Sequence, residues 1–192
     1  MNFCPINRMV HTALVTAALC LLTEVGIQAQ KREMINAVAM GTSTQLGRII
    51  NVDIRINEYS TAEDQKALLE AFQTDGAHGL VNAVEKMGAK GRIAITGTLG
   101  YDLNYIREFK MPDGTRRIRF ATDRPITFRE AWGSTRSMDY AITMGEIIVR
   151  KEKGKSTGTL MPAATISINK QGELEIETYQ NPWNLTNIRY HN

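Results

Sequence analysis

The chain has 192 residues, of which 43% are hydrophobic and 22% charged, and its formal net charge is +3. These values are ordinary for a single folded domain with its own core, and they exclude a wholly disordered chain. A net charge this small and this dispersed gives no basis for a nucleic-acid partner, so we expect none.

Residues 1–29 have the pattern of a secretory signal peptide. Arg8 gives a positive start, residues 9–22 (MVHTALVTAALCLL) form a mostly apolar run, and Ala29 is a small residue suited to cleavage. A membrane span needs about 20 apolar residues, so this run is short for an anchor. We therefore expect a periplasmic or secreted protein whose mature chain has no membrane span. An uncleaved anchor and lipidation at Cys20 are the alternatives.

Cleavage close to Ala29 can be tested directly. N-terminal sequencing of the exported protein should find a mature chain that begins within a few residues of this position. A chain that still begins at residue 1, or one that carries a lipid on Cys20, would contradict the assignment. Cleavage there also removes both cysteines of the sequence, so we expect no disulfide in the mature protein.

The next segments predict a flexible lead-in over residues 30–46, followed by a single β-rich domain over residues 47–192. Residues 30–46 show no clean period, and a short helix or strand within this lead-in is left open. Residues 47–60 (GRIINVDIRINEYS) alternate apolar and polar side chains, which is typical of a half-buried strand. We interpret this strand as the first of the domain.

A helical hairpin is predicted after that strand. Ser60 and Glu63 have the spacing of a capping box, which satisfies free backbone N–H groups at the start of a helix. Asp75 and Gly76 end this helix, and a second apolar pattern at helical spacing runs on to Gly88.

From residue 90 onward the sequence alternates as strands joined by short links. Gly145 in mid-strand suggests a bulge or bend, and Pro162 requires a sheet edge or a bulge. Short links favour antiparallel neighbours. We predict an α+β fold: an antiparallel β meander of about eight or nine strands, curled into a sandwich or partial barrel, with the helical hairpin inserted after the first strand. An open, twisted sheet is the alternative.

Several chemistries are disfavoured by the residue types. Of the histidines, only His78 and His191 remain after cleavage, which is too few for a zinc site, and we expect no metal and no cofactor. The glycine-containing turns at residues 88–92 and 97–100 lack the spacing of nucleotide-binding loops. No G-x-S-x-G serine motif is present, and we expect no catalytic residues.

Paired carboxylates leave one enzymatic alternative open, because two of them can hydrolyse a glycosidic bond. The candidates are Asp123, Glu130 and Asp139, with Trp132 as a platform for a sugar ring. Acidic residues are also common on the solvated faces of strands, and sequence alone gives no distance between these groups.

Residues 116–132 (RRIRFATDRPITFREAW) concentrate arginine and aromatic side chains. Alternation places Ile118 and Phe120 inward and Arg117 and Arg119 outward, while the end of the strand can expose Arg116. After Pro125 the same alternation places Ile126 and Phe128 inward and Arg129 outward. This pattern predicts ordinary scaffold with cross-strand ion pairs.

One functional hypothesis remains for this stretch, a weak anion-binding site formed by Arg124 and Arg129. Guanidinium groups can form paired hydrogen bonds with carboxylate or phosphate. The two arginines are five positions apart, so strict alternation places them on opposite faces. They can converge only if the chain bends near Pro125, where proline restricts the backbone.

The order of LLEAF…LVNAVEKM, LGYDLNYIREF, DGTRRIRFATDRPITFREAW and RSMDYAITMGEIIVR resembles a family of uncharacterised secreted bacterial proteins. The resemblance covers about residues 47–190. It implies export and a single domain, and it implies no activity, cofactor or site residue because none is established for the family.

We therefore expect an exported, non-enzymatic domain that binds an apolar or amphipathic small molecule or another component of the cell envelope. One alternative is an Asp/Glu-dependent hydrolase acting on carbohydrate or ester. The other is a structural interaction protein that uses a sheet edge. A deep apolar cavity would favour the first hypothesis, two facing carboxylates the second, and an uncovered strand the third.

Overall fold

The computed structural model describes residues 32–126, 141–152, 154–168, 170 and 174–191. They belong to one compact unit, Lys31–Asn192. The strands are β1 (Glu33–Met40), β2 (Ile49–Ile56), β3 (Gly91–Ile95), β4 (Tyr101–Leu103), β5 (Tyr105–Lys110), β6 (Arg116–Ala121), β7 (Ile142–Val149), β8 (Thr157–Ile168), β9 (Leu174–Thr178) and β10 (Trp183–His191). A 3₁₀ turn (Ser43–Gln45) follows β1, and the helix α1 (Ala62–Lys86) follows β2.

The described strands form one antiparallel sheet in the order β4-β3-β2-β1-β10-β8-β7-β6-β5, with β9 paired to β8. Only Asn104 separates β4 from β5, the two ends of that order, so the sheet curls into a nearly closed barrel. At the seam, Ser60 and Ile106 exchange backbone and hydroxyl hydrogen bonds of 2.6 and 3.0 Å. The predicted α+β class and antiparallel sheet are confirmed.

Two details of the predicted topology are corrected by β1. This strand lies inside the segment interpreted as a flexible lead-in, and it pairs along its length with β2 and β10. The helix therefore follows the second strand and not the first. The pattern of β1 was hard to recognise because two of its buried residues, Ala37 and Ala39, are small. With β1, and with the division of residues 101–110 at Asn104, the described part of the chain has ten strands.

The range of α1 contains two helical segments joined across a sharp kink, in agreement with the two helices predicted. Asp75 and Gly76 have non-helical backbone angles inside α1, and the φ of Gly76 is +55°. The break therefore falls at the predicted residues. A Cβ atom on Gly79 would lie 2.2 Å from the carbonyl oxygen of Ala71, so only glycine allows this close approach of the two halves.

The helix begins one residue later than predicted. Thr61 is the N-cap, and its hydroxyl accepts a hydrogen bond from the Asp64 backbone N–H, while the Asp64 carboxylate accepts one from the Thr61 backbone N–H. The capping box therefore joins Thr61 and Asp64, and not Ser60 and Glu63. Ser60 does not cap the helix because the barrel seam buries it against Ile106.

The barrel interior is filled by apolar side chains. Phe120 and Ile126 are buried as predicted, and Phe128 lies outside the described residues. Phe120 is paired with Gly145 on β7, and a Cβ atom there would lie 2.1 Å from the phenyl ring, so the glycine makes room for it. Pro162 lies at a register shift between β7 and β8, as the sequence required.

Candidate functional site

The residues predicted to bind an anion are only partly described. Arg124 is exposed, and its Nε and Nη2 atoms donate to the Asp123 carboxylate over 2.9 and 2.8 Å. This hydrogen bonding lowers the pKa of Asp123. Arg129 lies outside the described residues, so its separation from Arg124 stays a prediction. Within the described part, Arg124 already has a carboxylate partner.

The chain does bend next to Pro125, which the anion-site hypothesis required. Strand β6 ends at Ala121, and the Thr122 and Thr143 hydroxyls each hydrogen-bond the Arg124 carbonyl. The Ile126 backbone N–H in turn donates to the Thr143 hydroxyl over 2.7 Å. These buried threonines hold the turn in place and direct Ile126 into the core.

The described residues do not show the pair of facing carboxylates that the Asp/Glu-dependent hydrolase hypothesis requires. Asp123 is paired with Arg124, while Glu130, Asp139 and Trp132 lie outside the described part of the chain. Residues 32–126, 141–152, 154–168, 170 and 174–191 contain no group of three or more His, Cys, Asp or Glu side chains placed to hold a metal ion. In the same ranges no helix has the length and hydropathy of a membrane span.

A polar cluster lies at one mouth of the barrel, where side chains from β1, β5, β6 and β10 face inward. Arg116 donates to Glu33 over 2.9 Å and to the Tyr59 hydroxyl over 3.1 Å, and it also pairs with Glu108. The Tyr59 hydroxyl donates to Glu33 over 2.6 Å. The Arg116 guanidinium lies 4.6 Å from the centre of the Tyr190 ring. We call these five residues the mouth cluster.

Electrostatics keeps the mouth cluster in a defined protonation state. Burial raises the pKa of Glu33, but hydrogen bonds from Tyr59, Tyr190 and Arg116 outweigh burial and lower it overall. Burial and the Glu33 carboxylate raise the pKa of Tyr59, and they raise that of Tyr190 to about 12. At neutral pH the carboxylate is therefore ionised and both phenols keep their protons as hydrogen-bond donors.

Beside the mouth cluster is an open cavity of about 750 Å³. Arg116 and Tyr190 form one side, and Val149 and Ile188 provide an apolar wall. Three exposed cations, which we call the rim cations, surround it: Arg150, Lys151 and Arg189.

The rim cations form no salt bridge with a described carboxylate, although the charge of Arg150 adds to the Thr115 hydrogen bonds in lowering the pKa of Asp113. None of the three is within salt-bridge distance of a described acidic side chain, while Glu152, the acidic residue among those that line the cavity, is paired with Lys155. The arrangement therefore presents positive charge next to apolar surface, which suits a negatively charged amphipathic molecule.

A small apolar cavity lined by β2, β3 and β4 holds about 10 Å³, which is at most the space of one water molecule. The cavity at the mouth is much larger than this one.

Sequence reasoning missed this site because it assigned Arg116 to an exposed strand end. The structure buries most of Arg116: its side chain is 22% exposed and pairs with Glu33 and Glu108. Strict alternation already indicated this burial, since Arg116 lies on the same face of β6 as the buried Ile118 and Phe120. Arg117 and Arg119 lie on the outer face as predicted, and both contact Glu146.

Comparison of the chain with protein-family models, with curated proteins and with solved structures found no significant match.

Proposed function

We propose that this protein is an exported, non-enzymatic domain that binds a negatively charged amphipathic small molecule at the mouth of its barrel. The observation that carries the proposal is the cavity of about 750 Å³, which has an apolar wall and three cations on its rim that form no salt bridge with a described carboxylate. The cations would receive the acidic head of the molecule, and Val149 and Ile188 would contact its apolar part.

Two features of the chain support this proposal. Residues 8–29 have the charge, apolar run and small residue of a signal peptide, a pattern that supports export to a compartment where envelope components are possible ligands. The mouth cluster also holds this side of the cavity in place, because Arg116 is hydrogen-bonded to Glu33 on β1, Glu108 on β5 and Tyr59 in the loop after β2. A preformed site loses less conformational entropy on binding.

Calorimetric titration with octyl phosphate tests the proposal. We expect octyl phosphate to bind more tightly than either inorganic phosphate or octanol, because it uses both the rim cations and the apolar wall. Affinity should fall as salt is raised, since the rim cations are exposed and screened. In the variant R150A/K151A/R189A, we expect affinity to fall about tenfold or more because charge-assisted hydrogen bonds are lost.

A matched control removes the same charge elsewhere. Arg55, Lys66 and Lys86 are exposed and do not line the mouth cavity. The variant R55A/K66A/K86A should bind octyl phosphate about as tightly as the unmodified protein. An equal loss of affinity in both variants would show that binding depends only on net charge, and it would overturn the proposal. No loss of affinity in the rim variant would overturn it as well.

A further inference from the structure

A second cavity, of about 370 Å³, lies on the outer wall of the barrel over β1, β2 and β10. Six of the eight residues that line it are polar, and we call it the outer groove. The polar residues that line it are Asn36, Asn51, Asp53, Thr96, Asn187 and Arg189. Arg189 lines both this groove and the mouth cavity.

The outer groove is formed by an irregularity in the sheet. The pairing of β1 with β10 shifts register between Asn36 and Val38, opposite the stretch from Thr186 to Arg189. Asn187 lies in that stretch with a φ of +50°, a conformation that non-glycine residues rarely adopt. Bulges redirect side chains, and backbone strain of this kind is concentrated at functional sites.

Hydrogen bonds hold the Asp53 carboxylate of the outer groove in a fixed orientation. Asn36 Nδ2 donates to one oxygen of the Asp53 carboxylate over 2.6 Å, and Thr96 Oγ1 donates to the other over 3.0 Å. Each carboxylate oxygen has a second lone pair that remains available to a ligand donor. Asn51 is exposed beside this group.

The side chains of the outer groove have the hydrogen-bonding groups that recognise sugar hydroxyls. Amides donate and accept, the carboxylate accepts, and the guanidinium donates, which matches hydroxyl groups that do both. We propose that the molecule bound at the mouth has an acidic sugar as its polar head. Its phosphate or carboxylate lies at the rim cations, and its hydroxyls extend past Arg189 into the outer groove. This inference rests on the proposed function.

Titration with small acids tests the sugar part separately. Glucose 6-phosphate is compared with inorganic phosphate, and glucuronate with acetate, so each pair shares an acid and differs in the hydroxyls. We expect at least one sugar acid to bind about tenfold more tightly than its partner, as one or two added hydrogen bonds would give. The pair that shows the advantage identifies the acid.

Substitutions in the outer groove test whether the tighter binding of the sugar acid depends on this groove. N36A and N51A should each reduce it several-fold while leaving the affinity for the simple anion unchanged. N184A is the matched control, because Asn184 is exposed on β10 and does not line this groove. Thermal melts establish that each variant is folded, and N51A alters an exposed side chain, which keeps the test informative if N36A unfolds.

The outcomes separate the two proposals. Equal binding of both sugar acids and their simple partners would overturn the sugar inference while octyl phosphate still reports on the mouth. A reduction in N184A as large as in N51A would overturn it as well. If octyl phosphate also fails to bind, then the proposed function fails and the sugar inference fails with it.

Discussion

Replacing Phe120 by alanine is expected to lower the free energy of unfolding by about 3–5 kcal/mol, the usual cost of removing a buried phenyl ring. Phe120 is 2% exposed and packs on the face left open by Gly145. No side chain at position 145 can fill the resulting cavity, so little relaxation is expected. Urea unfolding monitored by circular dichroism measures the change.

The outward neighbour Arg119 supplies the control for this variant. Its side chain is 53% exposed and pairs with Glu146, so R119A should cost about 1 kcal/mol or less. A cost for R119A as large as that for F120A would mean that the inside and outside faces of β6 are exchanged.

Gly145 gives a second, independent measurement of the same contact. A Cβ atom at this position would lie 2.1 Å from the Phe120 ring, so G145A should destabilise the unmodified barrel. In the F120A background the ring is gone, and the added methyl group should cost much less. Additive effects of the two substitutions would show that this contact is absent.

Replacing Arg116 by methionine is expected to cost about 2–3 kcal/mol at neutral pH, somewhat less than a fully buried ion pair because the cluster keeps some contact with water. The substitution leaves the Glu33 and Glu108 carboxylates without their cation. R117M is the matched control, since Arg117 lies on the outer face and is 3.7 Å from its carboxylate partner. Urea unfolding of both variants measures the difference.

The effect of R116M should also depend on pH. The pKa of Glu33 in the folded protein is below its ordinary value of 4.5, so its stabilising contribution is present above that value and is lost as pH falls through the folded pKa. In R116M the burial of Glu33 acts with fewer opposing hydrogen bonds, which favours the protonated form.

The stability gap between the unmodified protein and R116M should therefore be widest near neutral pH and narrow below about pH 4. Urea unfolding at both pH values measures this gap. A gap that is constant over this range would show that Arg116 contributes through packing alone.

Much of the local structure was predictable because its causes are local. The alternation correctly placed Val52, Ile54, Ile56, Ile118 and Phe120 in the core and Arg55 and Arg119 outside it, although it left Arg116 at an exposed strand end. Asp75 and Gly76 marked the break in the helix since glycine accepts a positive φ. The small alanines of β1 weakened the same signal, and that strand was missed.

The candidate site was less predictable, because its residues come from distant parts of the chain. Glu33 and Arg116 are 83 positions apart, and the sequence pattern around each residue does not identify the other as its partner. The parity of Arg116 was visible in the sequence, but its burial required partners that only the closing of the sheet provides. The outer groove likewise depends on a register shift between β1 and β10.

Side-chain alternation and backbone preference act within a few residues, so local sequence is enough to encode the strand-rich class, the faces of most strands and the position of the helix break. The closing of the sheet at Asn104, the place of α1 after the second strand and the burial of Arg116 in a polar cluster are set by long-range pairing. These features depend on which strands pair across long separations. That choice reflects the burial and hydrogen bonding of the whole sheet, and no short segment encodes it.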